Sequence, residues 1–207
     1  MPDGPAPAQR IILASRSATR GRMLEAAGVA FSAVASSVDE TAIREALAAQ
    51  GGEIDPADVA EVLARAKAED VSNLHPDALV IGGDQVLELD GVIFAKPETV
   101  EAAREILLEL RGRTHQLHAA AAIAVGGEVT WAATDSAHLT MRRFSAGFLE
   151  EYLGRMGSEV LQSVGSYQVE GYGVQLFEAI EGDFFTILGL PLLSLLDQLR
   201  DLGAVPK

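Results

Sequence analysis

Cysteine is absent from the 207 residues, which excludes disulfides, thiolate metal sites and cysteine nucleophiles. Basic residues are scarce. Sixteen Lys and Arg against 30 Asp and Glu leave a formal net charge of -14, the wrong sign for a partner such as long nucleic acid. No apolar run approaches the length that spans a bilayer, so no membrane contact is expected. No Walker A pattern occurs, which excludes a P-loop. Residues 1–9 hold three prolines and have neither a basic start nor an apolar h-region; they read as a loose tail rather than a signal peptide.

What is present is globular. With 48% apolar residues and neither repeat nor linker, residues 10–207 read as one domain large enough for a substantial core. A cytoplasmic enzyme is the plain expectation. In so acidic a chain, a cation set among apolar or glycine residues is the informative find. Arg20, Lys67, Lys96 and Arg113 meet that description and are candidate site residues, Arg20 and Arg113 for binding substrate.

Hydrophobic periodicity and turn residues predict strands over 10–13 and 29–34, and a helix over 17–27 ended by Gly28. Helices over 40–49 and 55–70 follow, separated by Gly51-Gly52. A strand over 79–81, a hairpin at Asp90-Gly91 and a helix over 100–111 come next. Strands over 116–125 and 128–139 are joined at Gly126-Gly127; a helix over 146–156, strands near 174–177 and a helix over 192–202 complete the chain. Alternation of this kind means α/β.

The apolar run Ala78-Leu79-Val80-Ile81 reads as a buried strand that breaks at Gly82-Gly83, setting Asp84 and Gln85 in the crevice beyond its carboxyl end. The hairpin doubles the chain back and brings Lys96 toward Asp84. An acid and a lysine converging there suit an anionic substrate with a divalent metal. The segment by itself reads equally as a turn cap and a solvated lysine. Near the start, Ser15-Arg16-Ser17-Ala18-Thr19-Arg20 follows a strand and opens a helix, where free N–H groups favour an anion and Arg20, three residues after Ser17, reaches the same anion. Spacing alone also fits an ordinary Ser N-cap with a surface arginine.

Other residues receive plainer readings. His115 and His118 share a strand at an odd spacing, point to opposite faces and make a poor metal pair. Residues 104–112 lack the paired glutamates of a Nudix helix and read as an amphipathic helix. Trp131 and Phe184-Phe185 read as core.

Leu13-Ala14-Ser15-Arg16-Ser17-x-x-Arg20 with Leu24, Gly28 and Phe31, then Val38-Asp39-Glu40, Ala66-Lys67-Ala68, Gly83-Asp84-Gln85-Val86 to Ala95-Lys96-Pro97, and residues 110–115 resemble in order the motifs of the Maf family of nucleoside triphosphate pyrophosphatases. Residues 165–171 and 182–191 resemble its closing motifs. The resemblance implies an α/β fold like that of the inosine triphosphate pyrophosphatases, a mixed sheet in two lobes with a deep central cleft. It implies hydrolysis of a nucleoside triphosphate to monophosphate and pyrophosphate with a divalent metal (Mg or Mn) in a homodimer. It also carries a name linked to septum formation. By position, Asp84 is the general base, Ser15, Arg20, Lys67 and Lys96 are phosphate ligands, and Glu40 helps hold the metal. Gln85 and Glu170 match the branch acting on 7-methyl-GTP. Thr19 matches neither branch, and residues 182–185 stand closer to the dTTP/UTP branch.

The chemistry suits those residues in its own right. Water attacking a phosphorus needs charge neutralisation, positioning and a proton acceptor. Lys67, Lys96 and Arg20 neutralise; Glu40 and Asp84 offer hard oxygen ligands, and Asp84 reads equally as the proton acceptor and as a metal ligand alone. A non-catalytic nucleotide-binding regulator of cell division would have no need of carboxylates beside a polyanion, which they repel unless metal is present. A nucleotidase for inosine or xanthosine triphosphates shares the expected fold and remains the third reading.

Overall fold

A computed structural model describes residues 9–49 and 54–207; the expected tail, except Gln9, and the Gly51-Gly52 separation lie outside the described residues. The elements in chain order are β1 (Ile11–Ala14), α1 (Ala18–Ala26), β2 (Ser32–Ala33), α2 (Glu40–Ala49), α3 (Pro56–Leu74), β3 (Leu79–Leu89) and β4 (Val92–Phe94). Then come α4 (Val100–Leu110), β5 (Thr114–Val125), β6 (Glu128–Met141), α5 (Ala146–Met156), β7 (Phe177–Glu181), α6 (Phe184–Ile187) and α7 (Leu192–Asp201). The strands form one mixed sheet in the order β2-β1-β3-β5-β6-β7, with β4 pairing β3. β1 runs parallel to β2 and β3; the remaining pairs are antiparallel.

β3 departs from expectation. It does not end at Gly82-Gly83 but runs on through Leu89, so Asp84 sits mid-strand. The glycines mark close approach rather than a break. A Cβ on Gly82 would lie 2.7 Å from Ala68 N and 2.9 Å from Ala68 Cβ on α3, with the Ala64 carbonyl nearer still. A Cβ on Gly83 would meet Arg20 and Leu190 at 3.3 Å.

The alanine-rich β5 serves the same end. Ala120, Ala122 and Ala124 pack with Ala60, Ala64, Ala68 and Val86 under α3, while Ala121 and Ile123 face the opposite core of Leu24, Leu79, Ile81, Leu190 and Leu199. Small side chains at period two let a long helix lie close on the sheet. A further core gathers Leu87, Leu107, Leu110, Leu139, Phe144 and Tyr152 beneath α4 and α5. β3 therefore passes from one core (Leu79, Ile81) to another (Leu87, Leu89), with residues 82–85 at the junction.

Two other expectations change. The strand expected over 29–34 shrinks to Ser32–Ala33, because Gly28 (φ 75°) closes α1 and Val29 N donates back to Leu24 O at 3.0 Å. Residues 172–176 form a tight 3-10 turn, with the strand beginning at Phe177; Gly173 packs directly on the Gln168 backbone. The hairpin at Asp90-Gly91 and the Gly126-Gly127 turn, with φ of 59° and 84°, form as expected.

Candidate active site

The site follows from a gap in the sheet. β1 pairs β3 only up to Ala14 opposite Gly82, and β4 pairs β3 only from Phe94 opposite Leu87. Between them residues 83–86 keep β5 on one side and no strand on the other. Ser15 follows directly from β1 at one rim, and Ala95-Lys96 from β4 at the other. Asp84 and Gln85, as strand neighbours, point to opposite faces at this gap.

On the face of α3, Asp84 is 4% exposed. Its Oδ1 accepts from Lys67 Nζ at 2.6 Å, and Lys67 Nζ also reaches Glu40 Oε1 at 2.7 Å. The close seat of Ala64 and Ala68 on Gly82 fixes Lys67 over Asp84, two residues along the same face of β3. Glu40 opens α2, whose first turn Asp39 caps through Ala42 N at 3.0 Å. Arg44, one turn on from Glu40, brings Nη2 to 3.9 Å from Asp84 Oδ2. Asp84 Oδ2 is buried and has no hydrogen-bond partner. Burial pushes the Asp84 carboxyl up, against the pull of Lys67 and Arg20. Burial also pushes Glu40 up, but its hydrogen bond and charge contact with Lys67, helped by Arg44 and Arg20, outweigh this and hold it below the usual carboxylate range.

On the other face, Ser17 caps α1 by accepting from Arg20 N at 3.3 Å. Arg20 Nη1 donates to Ser15 Oγ at 3.2 Å, and Nε to the Gly189 carbonyl at 2.7 Å. Burial pulls the guanidinium below its ordinary value, opposed by the charges of Asp84 and Glu40. Arg20 thus joins the opening motif to the closing one, a contact across 169 residues. Gln85 Nε2 donates to the carbonyls of Thr186 and Ile187, at 3.0 and 2.9 Å. Both amide protons are spent on α6, leaving Oε1 as the group able to accept from a ligand. Gln85, Thr19 and Glu170 line one cavity of about 60 Å³. Thr19 and Glu170 also border an apolar groove of about 410 Å³ walled by Met23, Phe185 and Leu192. Phe184, 52% exposed, stands on that groove rather than in the core where its sequence suggested.

Ser15, Ser17, Arg20, Glu40, Lys67 and Asp84 therefore converge, and Thr19, Gln85 and Glu170 gather at the adjoining cavity. Lys96 is exposed at the rim; continuing the β3–β4 register by two residues would set it opposite Gln85. Arg113 is a correction. Its Nη1 donates to Glu109 at 2.6 Å and its Nη2 to Asp90. It precedes Thr114, six residues along β5 from Ala120, the partner of Asp84, so it lies on the order of 20 Å away. Glycine beside it marked the end of α4, not a binding loop. Arg44 escaped notice because its helix is acidic, although its spacing of four from Glu40 puts both on one face. His115 and His118 take structural partners, Tyr167 Oη at 2.7 Å and Ser136 Oγ at 2.8 Å.

A model of the Maf-like protein family matches residues 10–202. A 7-methyl-GTP pyrophosphatase from Brucella abortus biovar 1 (strain 9-941) is 50% identical over 92% of this chain and 95% of its own length. A nucleoside triphosphate pyrophosphatase from Paramagnetospirillum magneticum is 52% identical over 93% of this chain and 98% of its own. A 7-methyl-GTP pyrophosphatase from Mesorhizobium japonicum is 51% identical over 95% and 98%. A solved nucleoside-triphosphatase (dITP/XTP pyrophosphatase) from Mycobacterium abscessus aligns over 96% of this chain and 98% of that one, with 16% identity and a TM-score of 0.41.

Proposed function

The chain belongs to the Maf-like protein family, and on that footing we propose how it acts: it hydrolyses a nucleoside triphosphate to the monophosphate and pyrophosphate. The observation that carries the mechanism is the Lys67–Asp84–Glu40 cluster at the open edge of β3, its Lys67 and Asp84 buried and its Glu40 half-exposed, with Arg20 and Ser15 at its rim. The α-phosphate lies over Asp84, which takes the proton of the attacking water. Lys67, Lys96 and Arg20 draw charge from the leaving pyrophosphate.

Glu40 and Asp84 would hold a divalent ion, Mg²⁺ or Mn²⁺. The fit is supported by the unpartnered, buried Asp84 Oδ2 and by two carboxylates that already converge on one cation, Lys67 Nζ. Such an ion would acidify water and neutralise phosphate oxygens. Lys67, which bonds both acids, would stand beside that ion and serve the phosphates.

The preferred base is 7-methylguanine. Glu170 and the free Gln85 Oε1 border one cavity and can accept from the guanine N1–H and 2-amino group, and the carboxylate complements a cationic ring. Two of the relatives above bear that activity in their names. We propose further that the enzyme works in the cytoplasm as a homodimer; no described helix is long and apolar enough to cross a membrane, and exposed Phe184 and Leu193 offer an apolar contact for a second copy. The deciding experiment is pyrophosphate release from a panel of canonical and modified triphosphates with Mg²⁺. Equal turnover of dTTP, UTP and 7-methyl-GTP would refute the base assignment, and no turnover of any would refute the reaction.

A further inference from the structure

The inner stripe of α2 carries an anomaly. Ile43 and Leu47 pack against the core under α3, and Glu40 reaches Lys67, so positions 40, 43, 44 and 47 form the inward face of the helix. Arg44 shares that stripe. Its side chain is 27% exposed, yet its Nε is fully buried and has no hydrogen-bond partner. Leaving a charged donor buried and unpaired is costly, and such groups in a folded protein call for a partner. Asp84 Oδ2, the acid within ion-pair range, stands 3.9 Å from Nη2, too far for a hydrogen bond, and is itself unpartnered. The acids do not need Arg44 for neutralisation of their inner oxygens, because Lys67 already bonds both at 2.6 and 2.7 Å. Counting Arg20, the cluster sets three cations against two carboxylates, which leaves positive charge to be answered by an incoming anion. Arg20 has Nε and Nη1 committed to Gly189 and Ser15, whereas Arg44 keeps Nε free.

We infer that Arg44 is a substrate-binding residue that grips the phosphate chain, donating from its guanidinium to oxygens of the phosphoryl group lying over Asp84. The guanidinium fork matches two oxygens of a tetrahedral phosphoryl group, so an oxyanion of this class satisfies the orphaned donor and also answers the guanidinium's charge, which a neutral water does not. This assignment rests on the pyrophosphatase reading above and adds to it a cation on α2, a helix that otherwise contributes only Glu40.

Tripolyphosphate, which has no base or sugar, is the probe. Its affinity for the full-length protein is measured by calorimetry with Mg²⁺ in wild type, Arg44→Gln and Arg44→Lys, beside steady-state kinetics on the preferred triphosphate. Arg44→Gln is expected to weaken tripolyphosphate by roughly 10- to 100-fold and to raise KM in parallel. Arg44→Lys should recover part of the loss, since an ammonium keeps the charge but not the fork. Unchanged tripolyphosphate affinity in Arg44→Gln would overturn the assignment and leave Arg44 a partner of Asp84. Should Arg44→Gln fail to fold, Arg44→Lys decides: affinity equal to wild type overturns the proposal, and a several-fold loss supports it. Loss of tripolyphosphate binding in a protein that hydrolyses no nucleotide would support Arg44 and refute the pyrophosphatase reading instead.

Discussion

Gly82→Ala tests whether close packing of α3 on β3 builds the active site. The added methyl would lie 2.7 Å from Ala68 N, 0.7 Å inside the 3.4 Å at which contact becomes ordinary, with the Ala64 carbonyl closer still. These are backbone atoms of a helix held by Ala60, Leu63, Ala64 and Ala68, so no flexible side chain can yield. The helix must lift by on the order of 1 Å. Overpacking of this kind costs about 1–3 kcal/mol, which in a chain of this size lowers Tm by roughly 3–10 °C. The same lift acts on Lys67, whose Nζ is 2.6 Å from Asp84 Oδ1, and carries it out of hydrogen-bond range. A misplacement near 1 Å can cost about 100-fold in rate. Differential scanning fluorimetry and pyrophosphate release, measured below the variant's Tm, separate the two effects. Gly83→Ala is the control for stability only, because its methyl meets the Arg20 and Leu190 side chains at 3.3 Å rather than backbone, and its Tm should fall less. Gly82→Ala with wild-type Tm and turnover would refute the argument that the glycine exists to seat α3.

Three further outcomes are expected. Asp84→Asn should lower turnover by on the order of 100-fold or more while the protein stays folded, since Lys67 keeps Glu40 as a partner at 2.7 Å; near-normal turnover would remove Asp84 from the chemistry. Burial lowers His115 from 6.5 to about 4, so the neutral ring's contribution is complete above 6.5 and is lost as pH falls from 6.5 toward 4. That window is worth about 3 kcal/mol, and His115→Gln should flatten the fall in Tm between pH 6.5 and 4.5; an identical fall in both proteins would contradict it. Glu170→Gln should cut discrimination for 7-methyl-GTP over dTTP by roughly 10- to 100-fold in kcat/KM; an unchanged ratio would place the base elsewhere.

The sequence by itself determined most of the element types, the turns and most of the chemistry-bearing residues. Gly126-Gly127 and Asp90-Gly91 are short-range turn signals whose backbone requirements are local. Ser17 and Asp55 cap their helices within three residues, so those starts are legible without a fold. Lys67 and Asp84 stand out because charge amid apolar neighbours is conspicuous in a linear text. Tertiary structure decided what contacts over long separations decide. Gly82-Gly83 read as a strand break, but whether glycine ends a strand or admits a neighbour depends on α3, whose approach is not written beside it. Arg113 looked as well placed as Arg20. One lies past the far end of α4 against Asp90 and Glu109, and the other is drawn to Gly189, 169 residues away. Arg44 was hidden among acids until the helix packed and turned it inward. The gap between β1 and β4, where Asp84 turns to one face and Gln85 to the other, exists only in the sheet, because strand pairing and its limits are set by partners that no local pattern names.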